Sequence, residues 1–333
     1  QSYFPASVDT GRAGISQFGS FLYNPIARTN LQQLITDHGP FDVAHLHINH
    51  GRLTPSILEP LREAKIPIVQ TLHEYKLACP VYTMERSGQT WDACILGSKL
   101  NILRHRCKNG SLLHSAAVLA EFWLSRLQGD VSHIDRVICI SDFQLEVMRR
   151  AGLPKTKLQR IYNFVDTERI RPIPLVIREN FLLYFGRIEK LKGVPTLIET
   201  VKKTGHQLKI VGAGNWLDEM KKSMSNSPNI EYLGFASGDE LHGLISKARA
   251  VVVPSEWYEP FGLTIIEAKA AGTPVIGANI GGIPELIREG IDGFLFQPGD
   301  KLSLAAALKR LGLSNLNQLS RAAREDASAR FSP

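Results

Sequence analysis

Phe181-Leu182-Leu183-Tyr184-Phe185-Gly186-Arg187-Ile188-Glu189-Lys190-Leu191-Lys192-Gly193 sets an uninterrupted apolar and aromatic run directly against a basic loop bounded by glycines. A short run without polar breaks fits a strand buried on both faces of a parallel sheet. Ligands of open parallel sheets bind outside the carboxyl ends of the strands. The loop that follows is therefore a candidate site. Arg187 offers a planar fork for phosphate oxygens, and Lys192 offers a mobile point charge. An exposed basic loop is the plain alternative.

Working outward, short apolar runs alternate with helical stretches, the mark of βαβ units. After residue 185 the pattern predicts helix 194–204, strand 207–211, helix 217–224, strand 230–233, helix 238–247, strand 250–253, helix 262–271 and strand 274–277. Before it, strands are predicted at 43–47, 68–72 and 136–140, and helices at 57–64, 111–127 and 143–151. Ser141 or Asp142 would cap the helix that follows, and Gly152 would end it. Arg171-Pro172-Ile173-Pro174 suits neither helix nor central strand. The chain thus reads as an α/β protein with a first domain at 1–165, a linker at 166–179 and a second domain at 180–333.

Glu259-Pro260-Phe261-Gly262-Leu263-Thr264-Ile265-Ile266-Glu267-Ala268 is the strongest local signal. It places a carboxylate in the loop before a helix and another about one turn inside it. Between them lie the free backbone N–H groups of the helix start, from Gly262 to Thr264. A helix N-terminus entered through glycine suits a diphosphate. Glu267 would then accept hydrogen bonds from ribose hydroxyls. Two surface glutamates on an amphipathic helix are the alternative. Val211-Gly212-Ala213-Gly214 ends another strand, but Leu217 stands where a third glycine or alanine would be needed, so nicotinamide dinucleotide binding is rejected. His73, just past the strand at 68–72, is a candidate to face a cleft. His45 and His47 would share one face of a strand, but no third metal ligand is evident.

The 333 residues, 44% hydrophobic and 21% charged, are those of an ordinary globular protein. The net charge is +7, and +5 of it falls on residues 1–165. That excess suits an anionic substrate or membrane surface, or only a solvated face. No nucleic-acid motif and no uninterrupted apolar span are present, and Gln1-Ser2-Tyr3-Phe4-Pro5 does not read as a signal peptide. Cys139 reads as a small buried hydrophobe.

As a set, Gly186-Arg187…Lys192-Gly193, Glu259-Pro260-Phe261-Gly262…Glu267 and Gly281-Gly282-Ile283-Pro284-Glu285 resemble the retaining glycosyltransferases of family 4, also called group 1. The resemblance runs from about Tyr23 to Phe331. It implies the GT-B fold, two Rossmann-like domains with a cleft between them. It places Arg187 and Lys192 on the donor diphosphate, Glu267 on the ribose and Glu259 near the transferred sugar. His73 would face that sugar. Gly212, Gly234, Phe235 and the segment Phe261, Gly262, Leu263, Thr264 would line the nucleotide. The implied catalytic set is His73, Glu259, Arg187 and Lys192, with no metal and no cofactor beyond a UDP- or GDP-sugar donor.

The stretch Leu72 to Pro80, with Cys94 and His105-Arg106-Cys107, looks like a subgroup found in polysaccharide and cell-envelope assembly. That subgroup usually has C-x-x-C where this chain has Trp91-Asp92-Ala93-Cys94. A Cys₃His site from Cys79, Cys94, Cys107 and His105 stays open beside ordinary buried thiols. Against the family pattern the chain looks trimmed at both ends, with the first domain lacking its first βα unit.

The implied reaction transfers a sugar to a saccharide or lipid-linked acceptor hydroxyl. An epimerase or phosphorylase of the same fold, or a non-catalytic sugar-nucleotide-binding module, are the rivals. A cytoplasmic location is expected, with at most peripheral contact with the inner membrane face. For that contact the candidate is the stripe Leu112, Leu113, Ala116, Leu119, Ala120, Trp123, Leu124 and Leu127, preceded by Arg104, Arg106 and Lys108. A crossover helix packed into the core needs the same pattern, and the core is the leading expectation.

Overall fold

The computed structural model describes residues 22–50, 53–170, 172–174 and 177–333. The readings of Gln1–Pro5, of the front of the first domain and of Arg171 lie outside these residues. The chain divides into two compact units: Trp91–Ile161 with the described residues before Gly88, and Tyr162–Pro333.

The first unit is built on parallel strands β1 (Ala44–Leu46), β2 (Ile68–Leu72), β5 (Arg136–Cys139) and β6 (Leu158–Arg160), in the order β1-β2-β5-β6. A short ribbon of β3 (Glu85–Arg86) and β4 (Gln89–Thr90) stands apart from that sheet. Ile68 N–H donates to the Asp135 carboxylate at 2.8 Å, which fixes how β2 and β5 enter the sheet together. Ser141 caps the helix Asp142–Arg150 by accepting from Gln144 N–H. The Gln144 amide accepts in turn from Ile140 N–H at 2.9 Å and donates to Glu74 O at 3.2 Å. This reciprocal cap ties the helix start to the loop after β2.

Two expectations for this unit are corrected. The strand expected over 43–47 is β1 at Ala44–Leu46, so His47 lies just past its end, although its ring still sits 4.6 Å from that of His45. The stripe expected to be core is split. Ser115, Leu119 and Phe122 of the helix Leu112–Leu127 are buried, whereas Leu112, Leu113, Trp123 and Leu127 are exposed.

The second unit is a six-stranded parallel sheet: β7 (Phe181–Phe185), β8 (Gln207–Val211), β9 (Ile230–Tyr232), β10 (Ala250–Val253), β11 (Val275–Ala278) and β12 (Gly293–Phe296). The order β12-β11-β10-β7-β8-β9 is the doubly wound order, and its switch point falls between β7 and β10. Every residue of β7, β10 and β11 is buried, as strands covered on both faces require. The helix Val194–Thr204 starts at Gly193 and is closed by Gly205, both left-handed, and it buries Val194, Leu197, Ile198 and Val201 at helical spacing. β12 and the helices Pro25–His38, Lys301–Leu313 and Leu316–Arg330 go beyond the elements that the sequence pattern predicts.

Residues on either side of Arg171 fold onto this unit. Val165 N–H donates to Phe331 O at 2.8 Å, and Arg324 donates to the carbonyls of Thr167, Ile170 and Ala270. Arg178 donates to the carbonyls of Ala248, Ala271 and Gly272 and to the Thr273 hydroxyl. Beneath them lies a buried charge network. Lys269 is fully buried, and its ammonium donates to Leu286 O at 2.7 Å, Asp292 at 3.1 Å and Asp326 at 2.5 Å. Arg288 and Arg330 add charge partners to the two aspartates.

Removing one member of such a network leaves buried charge uncompensated. Lys269→Met keeps most of the side-chain volume, so its effect reports the lost charge. The expected cost is about 3–5 kcal/mol. Urea denaturation checks it, and a loss under about 1 kcal/mol would mean that the arginines suffice for both aspartates.

Candidate functional site

In the second unit the loops at the carboxyl ends of the strands are fastened to one another through their backbones. Gly186 N–H donates to Val211 O, Gly212 N–H to Gly234 O, and Ile188 N–H to Ala213 O. Gly212 has φ +140, and a Cβ there would lie 1.9 Å from Gly186 O, so only glycine permits this approach. Gly212 and Gly234, read from the sequence as nucleotide-binding, thus hold the loops after β7, β8 and β9 together. Phe235, next along, is exposed.

Across the switch point the loops after β7 and β10 are joined in the same way. Glu256 N–H donates to Leu191 O at 2.8 Å, and the Thr196 hydroxyl donates to Glu256 at 2.5 Å. Gly193 passes so close to Pro254 that a Cβ would lie 1.7 Å from its carbonyl oxygen. This zipper brings Lys192 to Glu259. Glu259 Oε2 accepts from Lys192 Nζ at 2.7 Å, Trp257 Nε1 at 2.8 Å and Ser255 Oγ at 3.1 Å. The Lys192 ammonium also sits 4.8 Å from the centre of the Trp257 ring. Trp257 and Ser255 were not singled out from the sequence. Trp257 holds both members of the ion pair, and only the fold reveals it.

Glu259 is further anchored by its own backbone, whose carbonyl accepts from Gly282 N–H at 2.8 Å. Phe261 turns its ring into a cluster with Tyr162 and Phe331, at centroid distances of 5.8 and 6.1 Å, which leaves its backbone for a ligand. Gly262, at φ +127, starts the helix Leu263–Ala270, and no side chain caps that start. Glu267 stands half-buried one turn in, and desolvation raises its pKa. Arg187 does not join the Lys192–Glu259 pair. It is exposed and reaches Glu189 at 3.0 Å.

In the first unit, His73 lies past the end of β2, and its Nε2 is 2.8 Å from His47 Nδ1. Burial first, then the two neighbouring imidazoles His47 and His45, lower its pKa. His45 bonds Thr71 at 2.7 Å. Beside them is a polar pocket whose lining includes His47, Asn49, His50, Gln70, Glu74 and Asp130. Asn49 and Gln70 are buried, and Asn49 Nδ2 and Gln70 Oε1 have no hydrogen-bond partner among the described residues. His50 Nδ1 is 3.1 Å from Glu74 Oε1. Burial pushes Glu74 up to about 7 and His50 down to about 4. Both shifts disfavour charge, so the contact joins a neutral imidazole to a carboxyl that titrates near neutrality. The only hint in the sequence was a glutamine inside an apolar strand.

All four cysteines are free and buried. Cys79 and Cys94 lie in side-chain contact. Among the described residues no group of three or more His, Cys, Asp or Glu side chains is arranged to hold a metal ion.

Residues 4–169 match the family model described as Glycosyltransferase Family 4, and residues 166–329 match that described as Glycosyl transferases group 1. A glycosyltransferase of Methanocaldococcus jannaschii is 32% identical over 53% of this chain and 50% of its own length. The sulfoquinovosyl transferase of Arabidopsis thaliana is 32% identical over 86% of this chain and 53% of its own. The chain spans about half the length of the curated relatives it matches. Among solved structures, Anabaena HepE in complex with UDP superposes with a TM-score of 0.70 at 19% identity, over 92% of this chain and 78% of that one. Sucrose-phosphate synthase from Thermosynechococcus elongatus superposes with a TM-score of 0.71 at 18% identity, over 98% and 76% of the two chains. The fold is GT-B.

The Glu74 carboxyl has a folded-state pKa of about 7, above the ordinary 4.5. Its contribution to stability is greatest below the ordinary value and is lost as pH rises through the folded one. Glu74→Gln removes that dependence. Urea denaturation at pH values from about 5 to about 8 should show the variant gaining on the parent as pH rises. Parallel stability curves would mean that Glu74 is already charged in the folded chain at pH 5.

Proposed function

This chain belongs to the group 1 glycosyltransferases, and from that premise we propose that it transfers a sugar from a UDP- or GDP-sugar to an acceptor hydroxyl. On this reading the anomeric configuration is retained and no divalent metal assists. The observation that carries the reading is the meeting, at the β7–β10 switch point, of Lys192, Glu259 and the uncapped helix start at Gly262. Anabaena HepE forms complexes with UDP and with UDP-glucose, which supports a nucleotide-sugar donor here.

The difficult part of such a transfer is departure of the diphosphate as negative charge builds on it. Lys192 and the N–H groups of Gly262, Leu263 and Thr264 stabilise that charge by a cation and dipoles already in place, and Arg187, exposed beside Glu189 in the free chain, adds its charge once the diphosphate is bound. Glu259 neutralises Lys192 in the free chain and holds it in position through their shared hydrogen bond. When a diphosphate arrives, the ammonium gains a second anionic partner without a search for its rotamer, and Glu259 becomes available to the sugar hydroxyls. Glu267 accepts from the ribose, and Phe235 meets the base. His73, whose pKa is lowered by burial and by the neighbouring imidazoles, presents one ring nitrogen to the sugar while Nε2 stays with His47 Nδ1, a contact that settles the tautomer. The acceptor is a saccharide or a lipid-linked sugar in polysaccharide or glycolipid assembly. Nucleotide sugars are cytosolic metabolites, so the reaction belongs in the cytoplasm.

Two experiments test this. Arg187→Ala and Lys192→Ala should each weaken nucleoside diphosphate binding by about 1.5–3 kcal/mol and leave nucleoside binding nearly unchanged. EDTA should change neither. Equal losses for diphosphate and nucleoside, or a diphosphate affinity that needs magnesium, would overturn the assignment.

The second experiment separates the two glutamates. Glu267→Ala should raise the Michaelis constant for the donor, whereas Glu259→Ala should lower kcat with a smaller change in KM. New glycoside in a donor panel supports transfer. Altered sugar without an acceptor supports epimerisation instead. Donor binding with no product supports a binding module.

A further inference from the structure

Cys79, Cys94 and Cys107 gather where the loop leaving β2 meets the short helix Ala93–Leu96. Backbone bonds fix the loop: Tyr75 N–H donates to Tyr82 O at 3.0 Å, and Cys79 N–H donates to Tyr75 O at 2.8 Å. Asn101 fixes the helix, its amide donating to Ala93 O at 3.0 Å. Between these two supports the Cys79 thiol donates to the Cys94 sulfur. Side chains that already point at one another are what a disulfide requires.

Cys94 differs in kind from the other thiols. Its sulfur also accepts from Ile102 N–H. The Lys99 ammonium donates to the Cys94 carbonyl and stands beside both sulfurs. The bond from Cys79 first, and then this ammonium, lower the Cys94 pKa against the opposing effect of burial. Cys139 offers the contrast, since burial alone pushes it up to about 12. Cys107 is raised by burial first and then by Cys94, and its Sγ is turned to Asn101 O at 4.0 Å. The thiolate is the nucleophile in thiol chemistry, so Cys94 is the sulfur prepared to react. Other charged groups lie one step further out: Arg86 and Glu85 of β3 face Cys107, and Arg126 faces Lys99.

We propose that Cys79 and Cys94 are a reversible redox pair that reduces a small peroxide, with Cys94 attacking, Lys99 steadying its thiolate and Cys79 resolving. The Cys94 thiolate attacks one oxygen of hydrogen peroxide, the O–O bond breaks, and hydroxide leaves and takes a proton from solvent. Cys94 is then a sulfenic acid. The Cys79 sulfur attacks it, the S–O bond breaks, and the departing hydroxide takes the Cys79 proton and leaves as water. Two thiols are oxidised to one disulfide, and one peroxide is reduced to two waters. An external dithiol restores the thiols by exchange. Cys94 is 1% exposed and Cys79 4%, which suits an oxidant hardly larger than water and excludes a bulky one. The new bond fastens the loop that carries His73 and Glu74 to the helix Ala93–Leu96. Neither sulfur belongs to the sugar-transfer site, so the pair oxidises whether or not the chain moves sugar.

Non-reducing peptide mapping of the intact chain tests this. After treatment with hydrogen peroxide and blocking of the remaining thiols, trypsin should release residues 77–86 joined to residues 87–99, which hold Cys79 and Cys94 respectively. Dithiothreitol should separate them. Cys107 and Cys139 should stay reduced while the pair reacts. Cys79→Ser should leave Cys94 as a sulfenic acid that dimedone labels. Lys99→Met should slow oxidation on the order of tenfold at pH 7, and the difference should close above about pH 9, where a thiol ionises unaided. Rates are compared below the melting temperature of each chain. Cys79 and Cys94 that stay reduced in the parent, at a peroxide dose that oxidises glutathione in the same tube, overturn the proposal. So does a disulfide that joins Cys94 to Cys107 instead, or oxidation of Cys139 at the same rate. Oxidation of Lys99→Met as fast as the parent at pH 7 overturns it as well.

Discussion

Lys269 carries a full positive charge into the interior of the second unit and is held there by three partners from distant parts of the chain. Leu286 and Asp292 follow β11, and Asp326 belongs to the helix Leu316–Arg330. An unpaired ammonium at that depth would cost several kcal/mol, so the helix Leu263–Ala270 has one stable rotation about its axis. That rotation places Glu267. Two residues along a helix turn by about 200°, so a lysine fixed inward sends the carboxylate two positions earlier toward the outer side. The position of the uncapped helix start at Gly262 follows from the same constraint. The site at the sheet edge therefore depends on a charge network that touches no ligand.

The loops of that edge are positioned by backbone rather than by side chains. Gly193 against Pro254 and Gly212 against Gly186 are contacts in which a Cβ would lie 1.7 and 1.9 Å from a carbonyl oxygen, far inside van der Waals contact. At Gly281 a Cβ would lie 2.4 Å from Glu259 O, also too close for any side chain. Main-chain bonds across these contacts make the loops after β7, β8 and β10 a rigid surface, and Lys192, Trp257 and Glu259 project from it. A site assembled in this way needs little reorganisation when a charged ligand arrives, which is the physical basis of electrostatic preorganisation. In the free chain the lysine and the glutamate satisfy one another, so neither carries the desolvation cost of a lone charge.

The first unit solves a different problem. Its strands are short, and its interior next to β2 is polar, with Gln70, Asn49 and Glu74 close together. The helix Leu112–Leu127 supplies polar partners to that interior through Glu121 and Ser125, and consequently turns apolar side chains outward. Polar demand inside and apolar exposure outside are two sides of one helical rotation.

The amino-acid sequence determined nearly all of the second unit's elements, because buried parallel strands such as Phe181–Phe185 and Ala250–Val253 are continuous apolar runs between glycine-marked helices. It also determined which segments carry charge at strand ends: Arg187, Lys192, Glu259 and Glu267 are legible there by residue type and spacing. β12 and the helices after it escaped because Gly293-Phe294-Leu295-Phe296 is short and the terminal helices have weak apolar periodicity. Only the tertiary structure decided that Lys192 meets Glu259 through Trp257 and that Phe261 turns into a core with Tyr162 and Phe331. It alone decided that Arg187 stands apart on the surface. The reason is that these relations cross from one strand end to its neighbour in the sheet, and strand order is not written in local spacing. The helix Leu112–Leu127 gives the clearest division. Periodicity establishes that an apolar stripe exists, but a stripe has the same period whether it faces a core or a solvent, and the choice falls to what lies beneath the helix, here Lys76 and its partner Glu121.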